Sequence, residues 1–182
     1  MEQLYFSDEI QRKLSGIYRS GLTMIEAPAV YGKSTAVRWA MKKLPAEQVR
    51  WFTAVSFQQD TSLDWFIRQI GSLDASAGNA LRELGFLNRS NVSDAADILS
   101  RLSTAEPCYL ILDNFQLVGD NWPLPLLQAL ADRNQDGLHV VLISQNFKKL
   151  RAVFESSSGV TSLNSRDFLL GKRDILRYAQ QL

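Results

Sequence analysis

The stretch that most constrains this chain runs from Leu22 to Met41. An apolar run, Leu22 to Ile25, ends at Ala27-Pro28, and a helical pattern opens on Gly32-Lys33-Ser34-Thr35. Ala36, Val37, Ala40, Met41 and Leu44 form its inward face, and Pro45 ends it. Strand, tight loop and helix in this order aim unpaired backbone N–H groups and the positive end of a helix dipole at one point. With Gly-Lys-Ser at the helix start, the arrangement predicts a cradle for the phosphates of a nucleotide. Gly32 lets backbone approach phosphate oxygens without a side chain in the way. Lys33 is expected to reach the β- and γ-phosphates, Ser34 to ligate Mg2+, and Thr35 to support the α-phosphate. Ala29, Val30 and Tyr31 complete the cofactor-binding loop. One position departs from the usual spacing: Ala27 stands where the first glycine belongs, and Pro28, with its fixed φ, is the substitute turn residue. The plain alternative is an ordinary helix with a basic first turn.

The rest of the chain alternates in the same way. Ile10 to Arg19 has apolar residues at helical spacing (Ile10, Leu14, Ile17, Tyr18), and Val49 to Val55 is rich in β-formers. Thr61 or Ser62 starts a helix with Leu63, Phe66, Ile67 and Ile70 inward. From Leu73 to Ser90 small and polar residues dominate, with Gly71, Gly78 and Gly85 nearby. This predicts a loose connection with one helical turn near Ala80 to Leu84. Asn91 caps a helix carrying Ala95, Ile98, Leu99 and Leu102. Cys108 to Asp113 and Leu138 to Ser144 are nearly all apolar, as strands buried on both faces of a parallel sheet are. Between them Trp122 to Asn134 reads as a helix. A short helix at Lys148 to Phe154, a short strand at Val160 to Leu163 and a last helix at Lys172 to Leu182 complete the series. The expectation is α/β: a single domain over residues 1–182, three layers around a mainly parallel five-stranded sheet of the P-loop NTPase kind. Ligands of such sheets sit beyond the carboxyl ends of the strands.

Charge and cysteine narrow the function classes. A formal net charge of +1 gives no surface for coating nucleic acid. The single cysteine, Cys108, cannot form an internal disulfide and fits a reducing, cytoplasmic setting. No apolar run reaches the roughly 18 residues of a membrane span. His139 has no His or Cys at ligand spacing, which favours a structural role, and Lys148, Lys149 and Arg151 read as a solvated helix face.

Two further strand ends complete the site. Asp113 closes the apolar run Leu-Ile-Leu-Asp about 80 residues after the loop, where a magnesium-holding acid belongs. Catalytic weight therefore falls on Lys33 and Asp113, with Asn114 beside them; the metal pair is Ser34 and Asp113. Asn114 stands where many ATPases have a second acid that orients or deprotonates water. An amide can hydrogen-bond water but cannot take its proton, so nucleotide binding with slow hydrolysis is expected. Gln145, after Leu142-Ile143-Ser144, is placed to read a γ-phosphate.

With these residues assembled, the chain resembles the nucleotide-binding domain of MalT-like regulators, LuxR-family members of the STAND class of signal-transduction ATPases. The resemblance rests on Glu26-Ala27-Pro28-Ala29-Val30-Tyr31-Gly32-Lys33-Ser34-Thr35, on Val49-Arg50-Trp51 leading to Asp60, on Leu110 to Leu117, and on Val140 to Asn146. A small residue in place of the first glycine is typical of that family, which accounts for Ala27. The chain departs from the family at Val30, Asn114 and Gln145, where Gly, Asp and Arg usually stand. The resemblance implies an ATP/ADP-binding switch domain with Mg2+ and weak hydrolysis, working through neighbouring regulatory domains or a partner protein. DNA would be reached only through a helix-turn-helix domain that 182 residues do not include. The alternative is a domain that keeps the fold for protein interaction and has lost nucleotide binding.

Overall fold

A computed structural model describes residues 5–55, 61–133, 137–147, 149–154, 157 and 159–181. Five parallel strands form one sheet: β1 (Leu22–Glu26), β2 (Val49–Thr53), β3 (Cys108–Asp113), β4 (Leu138–Ser144) and β5 (Val160–Leu163), in the order β2-β3-β4-β1-β5. β3 and β4 are buried along their whole length, as their unbroken apolar sequences require of central strands covered on both faces. The edge strands β2 and β5 are more open.

Alternation along the strands divides the core into two layers. On one face Met24, Leu110, Leu112, Val140 and Leu142 meet α3 (Ser62–Leu73), α4 (Ala75–Glu83), α5 (Val92–Arg101) and α6 (Leu124–Asp132). On the other, Ile25, Tyr109, Ile111, Val141 and Ile143 meet α1 (Asp8–Leu14) and α2 (Lys33–Met41). Short α7 (Lys149–Phe154) and C-terminal α8 (Lys172–Gln181) complete the helices.

Several expectations need adjustment. The first helix is α-helical only to Leu14 and then tightens to a 3-10 turn over Ser15–Tyr18. The sixth starts at Leu124, after 3-10 turns at Phe115–Leu117 and Gly119–Asn121. The loose connection expected from Leu73 to Ser90 is incorrect over its first half: residues 75–83 form α4. Asp74 caps it, its carboxylate accepting from Ala77 N at 3.0 Å. The glycines that suggested a break are the contact point of a helix pair, because a Cβ on Gly78 would run into the backbone of Gly71 in α3. Close approach, not chain reversal, is the reason for glycine there. Asp60 and Lys148 lie outside the described residues.

Candidate functional site

The site is assembled at the carboxyl ends of β1, β3 and β4. β1 leads into the loop 27–32, and Gly32 turns into α2 with φ 76°. That left-handed conformation has little cost for glycine. Val30 adopts φ 62° as well, with its side chain fully exposed at the loop tip. A β-branched residue in this region is strained, at about 1–3 kcal/mol.

Lys33, first residue of α2, folds back over the loop. Its ammonium donates to Ala27 O at 2.7 Å and to Pro28 O at 2.8 Å. Partial burial lowers its pKa, while the negative charge of Asp113 acts in the opposite direction. On the next residue, Ser34 Oγ donates to Asp113 Oδ1 at 3.0 Å across 79 positions of sequence. Asp113 is buried, and the same oxygen accepts from Asn114 N at 2.9 Å. A hydroxyl and a carboxylate therefore meet at the first turn of α2, as oxygen ligands of a hard divalent cation would.

A cavity of about 420 Å³ opens over these groups. Its walls contain Ala29, Val30, Gly32, Lys33, Ser34 and Thr35 from the loop and α2, Asp113 and Asn114 from the end of β3, and Gln145 from the end of β4. All the residues expected at the site converge there except Tyr31, which is exposed and not on the wall. Asn114, at φ 57°, uses its side-chain amide elsewhere: Nδ2 donates to Ala54 O, just past β2, at 3.1 Å. Besides the apolar Ile143, one further wall residue, Gln116, is not among those expected. Its Oε1 accepts from Gln145 N at 3.1 Å. The sequence signal available for it was only its position, three residues after Asp113.

Two other residues, His139 and Arg151, make structural contacts. His139 lies flat on Tyr109, centroids 4.8 Å apart, with Nδ1 2.9 Å from Ser20 O. Arg151 pairs with Glu26 at 3.5 Å rather than extending freely into solvent. No group of residues able to hold a metal through three or more His, Cys, Asp or Glu side chains occurs among the described residues. None of the described helices is long and apolar enough to cross a membrane.

Strand order, parallel pairing and a loop at the end of β1 define the class: this is the α/β fold of the P-loop ATPases. Over its full length the chain matches a signal transduction ATPase with numerous domains (STAND) from Pyrococcus horikoshii, which carries a tetratricopeptide repeat sensor (TM-score 0.57, 18% identity, 26% of that chain). It also matches a Walker-type ATPase of Pyrococcus abyssi over 99% of its length (TM-score 0.50, 13% identity, 58% of that chain). In sequence the chain is distantly homologous to the HTH-type transcriptional regulator MalT of two Klebsiella pneumoniae strains, at 22% identity over 178 residues. That alignment covers 93% of this chain and 18% of each regulator, so the chain spans under a fifth of their length. No family model matches it.

Proposed function

We propose that this chain is an ATP/ADP-binding switch domain of a MalT-like regulator, with slow ATP hydrolysis. The observation that carries the reading is the single cavity shared by the adjacent Lys33 and Ser34 with Asp113, which lies 79 positions beyond Ser34 in sequence and meets it past the carboxyl ends of the strands. In this reading the backbone N–H groups of the loop and the α2 start hold the phosphates, and Lys33 exchanges its two loop carbonyls for phosphate oxygens. Ser34 and Asp113 hold Mg2+, and Thr35 supports the α-phosphate. Slow turnover is supported by Asn114, whose amide cannot act as a base and is engaged with Ala54 O. The difference between ATP and ADP would bias contacts with neighbouring regulatory domains or a partner protein. Distant homology to a transcriptional regulator supports that setting, with DNA contacted by another domain.

A second reading, an interaction domain that has lost nucleotide binding, is favoured by strained, exposed Val30 at the mouth of the cavity. Thermal melts with and without Mg-ATP separate the two. A ligand at about 100 times its Kd contributes about 2.7 kcal/mol, which raises the melting temperature of a domain this size by several degrees. Lys33→Ala should abolish that rise. Equal shifts in both proteins would refute the assignment of Lys33, and no shift in either would favour the interaction domain.

A further inference from the structure

We infer that Gln116 is the residue that distinguishes a nucleoside triphosphate from a diphosphate here, by offering its side-chain NH2 to the terminal phosphate; this rests on the nucleotide reading above. Gln116 sits in the 3-10 turn that follows β3 and lines the same cavity as Lys33, Ser34 and Asp113. The orientation of its amide is fixed by a partner of known polarity. Gln145 N is a backbone donor and can only donate, so the atom 3.1 Å from it is the amide oxygen. Ser144 Oγ, 3.4 Å away, lies on the same oxygen. The NH2 end therefore carries the remaining donors, which have no partner among the described residues, on a side chain that lines the cavity.

Gln145 itself is the weaker candidate for this task. Its side chain is exposed and makes no hydrogen bond among the described residues, so ordering it on a phosphate costs rotamer freedom. Gln116 is already held by a bond between the ends of two strands, and its donors are pre-oriented. They are neutral, so they favour an added phosphate less strongly than a guanidinium would, but a hydrogen bond to a charged acceptor remains one of the stronger kinds. The diphosphate, held by the loop and Lys33, does not need them.

The test is calorimetric titration of the whole chain with Mg-ATP and with Mg-ADP. Gln116→Glu keeps an acceptor for Gln145 N but replaces the donors with negative charge, so it isolates the proposed contact from the structural one. The wild-type chain should bind ATP more tightly than ADP. Q116E should weaken ATP by about tenfold or more, the usual scale of a hydrogen bond to a charged group, and leave ADP within about twofold. Gln116→Leu, which removes the donors without adding charge, should also reduce the preference for ATP, and covers the case in which Q116E does not fold. Equal weakening of both nucleotides, or no change in either, overturns the inference and leaves the nucleotide site standing. If the wild-type chain binds neither nucleotide, the site reading fails and the inference with it.

Discussion

Asn114 shows how one side chain can serve structure at a place where chemistry was expected. Asparagine tolerates the left-handed backbone that it adopts at φ 57°. Its N–H steadies Asp113, and its amide ties the end of β3 to Ala54 O beyond β2. An ionised aspartate at 114 could not donate to that carbonyl. Asn114→Asp should therefore lose about 1–3 kcal/mol at neutral pH. Because a part-buried carboxyl facing a carbonyl is favoured in its protonated form, its folded pKa should rise. The variant should then lie nearest the wild type at acid pH and fall behind as pH increases through that raised value. Denaturant midpoints at pH 5 and pH 8 measure this, with Asn114→Ala as a control whose deficit should not vary with pH. A constant deficit in N114D would exclude the carbonyl contact as its cause. At this same scale Lys33, Ser34 and Asp113 were readable in the sequence, because a glycine-lysine-serine helix start and an acid closing an apolar strand are local patterns. Gln116 was not, since its orientation depends on a backbone donor 29 residues away.

At the scale of elements, the α3–α4 pair separates propensity from packing. Counted locally, Gly71 and Gly78 weaken helices, and the segment reads as a connection. In the fold they allow two helix backbones to touch, and Asp74 starts the second helix with a side-chain cap. Gly78→Ala should therefore destabilise the protein by about 1–3 kcal/mol even though alanine is the better helix former by about 1 kcal/mol. Urea denaturation measures the balance; a stabilised variant would mean that the helices can part without cost. The strands were easier to read than this helix. β3 and β4 are apolar at every position because both faces are covered, and that pattern survives in the sequence whatever packs on them.

On the scale of the whole molecule, one face of the sheet is covered by residues distant in sequence, Ile10, Leu14 and Ile17 together with Val37 and Met41. His139, second residue of β4, stacks on Tyr109 of β3 and bonds Ser20 O ahead of β1. Burial lowers its pKa, the Ser20 contact acts the other way, and the charge of Arg133 lowers it further. The net depression means that the unfolded chain binds a proton more readily than the folded one. Its contribution to stability is present above the unfolded value, about 6.5, and is lost as pH falls from there towards the folded value. Denaturant midpoints should drop between pH 7.5 and pH 5.5, and His139→Gln, which can still donate to Ser20 O, should remove part of that slope. An unchanged slope would assign the acid sensitivity to other groups. At the other end of the chain α8 meets the N-terminal region through polar contacts, Tyr5 Oη to Asp174 at 3.2 Å and Arg177 to Asp8 at 2.7 Å. Ile175 and Leu176 remain exposed.

By itself, the sequence determined the alternation of strands and helices, the parallel sheet with its five members and the glycine-led start of α2. These follow from hydrophobic period and from backbone chemistry within a few residues. Tertiary structure alone decided which atoms meet: Ser34 with Asp113, Asn114 with Ala54, Gln116 with Gln145, and Gly71 with Gly78. Those contacts depend on strand order, register and the crossing of helices. Such quantities are set by packing the whole core at once, and no short stretch of the chain encodes them.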